Sequence, residues 1–214
     1  EKIGIDYCCC GKKPLEQACS EKGLDAKTVA LMLDVDESAG GRFADVQNMS
    51  LTELADHIVV THHDYLRREL PRIEFLVQKV MNAHGRNHPE VMEIGRIFAG
   101  FQEEMNSHMM KEEKILFPAI RALEGAGTPF HCGSIANPIR QMEAEHDAAG
   151  DDLAKFRKLT NDYTPPADVC NTFRAMVDAL KDLEQDMHQH VHKENNVLFP
   201  RAIEKEQATC SANA

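Results

Sequence analysis

Apolar residues recur three and four positions apart through most of this chain, the spacing that lines one face of a helix. No segment shows the alternating, β-branched pattern of a strand. The expected fold class is therefore all-α. Long stripes run at about 50–83, 88–123, 136–160 and 166–206, separated by Gly85 and Pro89, by Gly125, Gly127 and Pro129, and by Pro165 and Pro166. Ser50 followed by Glu53 has capping-box spacing and marks the start of the first. Helices of this length with short connections predict an up-down-up-down four-helix bundle over 50–206. A smaller helical unit over 1–35, with Leu15, Ala18, Leu24, Val29 and Leu33 as its apolar positions, precedes it; 36–49 reads as a linker and 207–214 as a tail.

Several polar residues interrupt these stripes where an apolar side chain is expected. The second helix stripe runs through Ile94, Phe98, Phe101, Met105, Ile115 and Leu116, and His108 and Glu112 fall near its centre. On the fourth, Phe173, Val177, Leu180, Leu183, Met187, Val191 and Leu198 define the stripe; His190 and Glu194 lie on it, while His188 and His192 fall off it toward solvent. His146 lies among Ile139, Met142, Ala149, Leu153 and Phe156 on the third. On the first, the periodicity through Leu54, Ile58, Leu66, Ile73 and Val77 puts His62 nearer the centre and His63 toward the edge, and leaves both open. His84 lies about 31 Å beyond His63 along a continuous helix, so both cannot reach one site.

The polar insertions are duplicated. The segment His108-x-x-Lys111-Glu112-x-x-x-Leu116-Phe117-Pro118 recurs as His190-x-x-Lys193-Glu194-x-x-x-Leu198-Phe199-Pro200, identical at six of eleven positions. Histidine and glutamate four residues apart present an imidazole and a carboxylate on one helix face. A buried carboxylate needs a cation, and no inward Lys or Arg is evident beside Glu112 or Glu194. Imidazole with carboxylate suits iron, manganese or zinc, with iron the first expectation. Two carboxylates able to bridge suggest a metal pair about 3.5–4 Å apart. A ferritin-type site would use two Glu-x-x-His pairs, and only Glu143 with His146 has that spacing.

Charge and composition narrow the partners. A net charge of −11 opposes binding to nucleic acid or an anionic membrane. No apolar run approaches the roughly 20 residues needed to span a bilayer, no signal segment opens the sequence, and a cytoplasmic location is expected. Seven cysteines, three of them consecutive at Cys8, Cys9 and Cys10, do not form a secreted disulfide framework. Followed by Gly11, Pro14 and an apolar helix, these thiols stand at or just before a helix N-terminus, where thiolates are favoured. Adjacent cysteines are poorly placed to chelate one zinc together.

The Tyr7-Cys8-Cys9 segment, His63-Asp64, the His108 and Glu112 motif, Glu145-His146-Asp147 and the His190 and Glu194 motif together resemble the repair-of-iron-centres family over nearly the whole chain. That resemblance implies a hemerythrin-like bundle behind a small helical cysteine domain, and a role in nitrosative and oxidative stress. It implies two iron ions with an oxo or hydroxo bridge, held by His63, His108, His146 and His190 with Glu112 and Glu194 bridging. It thereby selects His63 over His62, and it makes Glu145 a carboxylate behind the ligands or along a channel. Cys8 and Cys9 match the family's cysteine pair, with a role in redox or iron transfer; Cys10 stands where the family has glycine. A further helix usually precedes this motif in the family, so residues upstream of Glu1 are expected. The implied partners are nitric oxide, dioxygen or peroxide, iron-sulfur client proteins, and a second copy of the chain.

Two other functions compete with iron donation and nitric oxide reduction. A hemerythrin-type dioxygen carrier or sensor would place a second histidine four residues after the first on the third helix, where this chain has Gly150. A di-metal oxidase or iron store would turn over dioxygen or load much more iron.

Overall fold

A computed structural model describes residues 14–29, 43–125 and 133–212. The expectations on Cys8, Cys9, Cys10, Leu33 and the stretch from Asp36 to Gly41 lie outside these residues.

Short helical segments come first, among them α1 (Leu15–Glu21) and α2 (Phe43–Asn48). The bundle then comprises a first helix built from α3 (Leu51–Ile58), a π turn π1 (Val59–His63) and α4 (Asp64–His84). The second joins α5 (Glu90–Lys111), π2 (Glu112–Leu116) and α6 (Phe117–Glu124). The third is α7 (Ala136–Leu159), and the fourth joins α8 (Asn171–Lys193), π3 (Glu194–Leu198) and α9 (Phe199–Ala212). The first and third helices each pack against the second and fourth, as an up-down-up-down bundle requires. Among the described residues there is no strand, and no helix is long and apolar enough to cross a membrane.

Local chemistry accounts for the boundaries. Ser50 and Glu53 form the expected capping box, the Ser50 hydroxyl accepting from the Glu53 N–H and the Glu53 carboxylate from the Ser50 N–H. The N–H groups of Leu51 and Thr52 donate to Glu124 at 2.7 and 2.9 Å, so the end of the second helix caps the start of the first. Glu206 does the same for the third, accepting from Ile135 N–H at 2.8 Å and from the Ser134 hydroxyl.

Two apolar clusters fill the bundle. One is centred on α4, α5 and α8, with Phe98, Phe101 and Phe156 among its members; the other joins α3, α6 and α9, with Leu54, Phe117 and Phe199. A buried polar layer lies between them in the sequence of every bundle helix, at the level of the π turns.

Four expectations need correction. A helix, Phe43–Asn48, stands inside the segment read as a linker, and α9 runs on to Ala212 through most of the segment read as a tail. Leu15 is 39% exposed; of the expected apolar positions of its unit Val29 is buried, and Cys19 is buried beside those expected. Ile115 is 54% exposed because it lies in π2, where the widened turn breaks the 100° progression that put it on the stripe. His84 ends α4 as expected, far from His63, with its Nε2 3.1 Å from the Cys170 sulfur. Backbone N–H groups at the start of α8, Phe173 first, together with His84 hold that thiol down at about 7.

Candidate metal centre

Three of the four bundle helices carry a π turn at the polar layer. Each closes with a bond from the N–H five residues on: Asp64 to Val59, Phe117 to Glu112 and Phe199 to Glu194. Pro118 and Pro200 stand one residue beyond the second and third of these closures. Lacking an N–H and crowding the carbonyl four residues back, a proline favours this wider turn over a regular one. In π1 each residue turns by less than the α-helical 100°, so His62 and His63 straddle the stripe and both are buried. A 3.6-residue period could not choose between them for that reason.

Six polar side chains converge at this level: His63, His108, Glu112, His146, His190 and Glu194, each 1% exposed or less. They form two overlapping groups whose candidate ligand atoms lie within 4.8 Å of one another, His63, Glu112, His190 and Glu194, and His108, Glu112, His146 and Glu194. Both glutamates belong to both groups. Glu112 Oε2 is 3.2 Å from His63 Nε2 and 3.4 Å from His108 Nε2. Glu194 reaches His190 Nε2 with Oε1 at 3.0 Å and His146 Nε2 with Oε2 at 3.1 Å. His63 Nε2, both oxygens of Glu112 and Oε2 of Glu194 are buried, yet none has an aligned hydrogen-bond partner among the described residues. A bound cation would satisfy these lone pairs, so the donor set fits metal binding.

The outer nitrogens are held by a second ring of contacts. His63 Nδ1–H donates to Glu113 at 2.6 Å, His108 Nδ1–H to Glu145 at 2.9 Å, and His146 Nδ1–H to Asn195 Oδ1 at 2.9 Å. Donation from Nδ1 leaves the Nε2 lone pair facing inward, the form a metal takes. Arg67 holds Glu113 at 2.5 Å, and Lys111 with Gln141 holds Glu145.

The duplicated motif acquires a meaning at each position. The residue after the glutamate of each copy holds a histidine of the neighbouring helix, Glu113 holding His63 and Asn195 holding His146. The phenylalanine of each copy packs on that same ring, Phe117 on His63 at 5.7 Å and Phe199 on His146 at 6.1 Å. The two capping glutamates, Glu124 and Glu206, also occupy matching places after the two motifs. Leu116 and Leu198 are core residues. The lysines contradict the expectation that no inward cation stands beside the glutamates. Lys193 is 8% exposed and donates to His62 Nε2 at 2.6 Å, while His62 Nδ1–H donates to Asp186 at 2.8 Å. Sequence reasoning missed Glu113, Asn195, Phe117, Phe199 and His62 in these roles; the shared frame of the internal repeat was the available signal. His188 and His192 lie off the stripe, half-buried.

Electrostatics within the metal-free chain follow from this crowding. Burial pulls the His146 imidazole down, but Glu194 and then Glu112 more than offset it and raise it from 6.5 to about 9. Glu194 is held well below the ordinary carboxylate range by His190 and His146 despite its burial. Burial dominates at His190, which falls to about 4. Glu145, beside His108 and Lys111, is held down at about 2.

These directions set a pH dependence. The raised His146 contributes stability to the metal-free chain that is fully present below about pH 6.5 and lost as pH rises through about 9. A bound metal takes the place of that proton, so the loaded chain is expected to weaken as pH falls. Thermal melts of metal-free and metal-loaded protein between pH 6 and 9.5 should slope in opposite directions; parallel slopes would contradict the arrangement.

Comparison with known proteins agrees with the geometry. The hemerythrin HHE cation binding domain matches residues 54–202, and a domain of unknown function, DUF542, matches residues 1–36. The chain is 38% identical over 203 residues to the iron-sulfur cluster repair protein YtfE of Enterobacter sp. (strain 638), covering 94% of this chain and 88% of that protein. It is 38% identical over 208 residues, with the same coverage, to the proteins of that name from Escherichia coli O1:K1 / APEC and Escherichia fergusonii. With its buried His/Glu layer between four antiparallel helices, this chain belongs to the hemerythrin HHE cation-binding family, in the branch of the iron-sulfur cluster repair proteins.

Proposed function

We propose that this chain holds two iron ions, His63 and His190 on one and His108 and His146 on the other, with Glu112 and Glu194 shared, and that it yields iron to damaged iron-sulfur clusters. The observation that carries this reading is the pair of overlapping four-residue groups with both carboxylates in common. The name of the relatives supports the repair role. Iron bound here supplies redox chemistry and open coordination positions. The protein provides about eight bonds where two octahedral ions take about twelve. Such positions suit nitric oxide, dioxygen or peroxide, and nitric oxide binding belongs to the same proposal. The surrounding residues keep the imidazoles of His63, His108 and His146 in one tautomer, and the two apolar clusters exclude bulk water. The net charge of −11 and the free thiols of Cys19 and Cys170 fit a cytoplasmic setting.

Incubating the iron-loaded chain with a hydratase whose cluster has been damaged by peroxide is expected to restore its activity, while the metal-free chain does not. Equal recovery with free ferrous iron at the same concentration would sink iron donation. Anaerobic titration with nitric oxide is expected to give a nitrosyl spectrum, with detection of nitrous oxide deciding whether reduction follows. A stable, reversible dioxygen adduct would instead favour the carrier reading, against which Gly150 stands where such carriers present a further histidine.

A further inference from the structure

The two halves of the centre correspond residue by residue, except at one place. The first bundle helix corresponds to the third and the second to the fourth: His63 to His146, His108 to His190, Glu113 to Asn195 and Phe117 to Phe199. In one half Glu145, the residue before His146, accepts from His108 Nδ1–H and is itself held by Lys111. The corresponding residue before His63 is His62, and the lysine corresponding to Lys111 is Lys193, which holds it. His62 does not hydrogen-bond His190. It lies flat against it, ring centroids 5.2 Å apart and planes at 4°, and His190 Nδ1 is buried with no hydrogen-bond partner among the described residues.

Of the four candidate histidine ligands, His190 is therefore the one whose ring no acceptor orients. An acceptor behind a metal-bound imidazole fixes its rotation and raises its basicity, and losing one costs about 10–100-fold in metal affinity.

We propose that the two ions are held unequally: the ion between His63 and His190 leaves first, and the ion between His108 and His146 stays. This rests on the two-iron reading proposed for the centre and specifies which iron is given up.

The test uses the full chain loaded anaerobically with ferrous iron and mixed with an excess of a coloured ferrous chelator. Two release phases of one ion per chain are expected, about 10–100-fold apart in rate. Crystals of the half-depleted protein should show anomalous iron scattering between His108 and His146. His62→Glu, which supplies the missing acceptor opposite Lys193, should slow the first phase toward the second. Glu145→Ala, which removes the acceptor from His108, should speed the second toward the first. Release of two ions in a single phase from the parent chain, or residual iron between His63 and His190, overturns the inference and leaves the two-iron reading intact. Saturation at one ion per chain overturns both. Because the position of the residual ion is read on the parent protein, the result stands even where a variant does not fold.

Discussion

Replacing Glu194 with alanine is expected to leave a chain that retains neither ion after desalting. Glu194 touches His190 with one oxygen and His146 with the other, and it belongs to both four-residue groups. In the two-iron arrangement proposed above, removing a histidine would take one ligand from one ion, whereas removing this carboxylate would take one from each and the link between them. The loss should appear as metal content by elemental analysis, and also as stability. A ligand that binds only the folded state at 100 times its Kd stabilises by about 2.7 kcal/mol per ion. The parent chain should therefore melt well above its metal-free form, while the variant melts at nearly one temperature with or without added iron. In the metal-free state the substitution also removes the carboxylate that raises His146, so the metal-free variant should melt below the metal-free parent at neutral pH. Two ions retained by the variant at parental occupancy would show that Glu194 bridges nothing.

Phe199→Ala is expected to act on both states. The ring is 1% exposed, sits in the cluster of α3, α6 and α9, and lies parallel to His146 with planes at 1°. Truncating a buried phenylalanine costs about 3–5 kcal/mol through lost burial and the cavity left behind. An unfolding free energy from urea titration lowered by that amount is expected in the metal-free chain as well as in the loaded one, which separates this effect from the loss of metal in Glu194→Ala. Freed from this packing, the His146 ring keeps its polar contacts, Asn195 at Nδ1 and Glu194 and His108 at Nε2, but loses the apolar face that fixes its plane. Phe117→Ala should behave alike through His63, since it packs on that ring at 5.7 Å. A change below about 1 kcal/mol in the metal-free chain would contradict this account of the packing.

The periodic pattern determined the all-α class, the four bundle helices and their inward faces, because an amphipathic stripe survives as long as the helical period does. Leu54, Ile58, Phe98, Phe101, Leu153, Phe156, Leu180 and Leu183 are all buried as their spacing requires. The duplicated motif likewise singled out His108, Glu112, His190 and Glu194, since no apolar core accepts those side chains without reason. The same period failed at the three π turns, where one extra residue per turn rotates the remainder of the helix. It could not separate His62 from His63, and it placed Ile115 inside. Those turns depend on the backbone hydrogen bond that closes each of them, which a side-chain pattern does not record.

Which acceptor stands behind which histidine was beyond the sequence for a second reason. Glu113 meets His63, Glu145 meets His108 and Asn195 meets His146 across helix boundaries, through distances set only when the helices pack. The buried Lys193 shows the same: its partner, His62, comes from another helix. By itself the local spacing, with the cost of burying charge, determined the fold class and the candidate ligands His108, Glu112, His146, His190 and Glu194, while His63 was selected over His62 only by the family resemblance. Only the tertiary structure decided how those ligands divide into two halves, and that one of them, His190, lacks the acceptor its counterpart has.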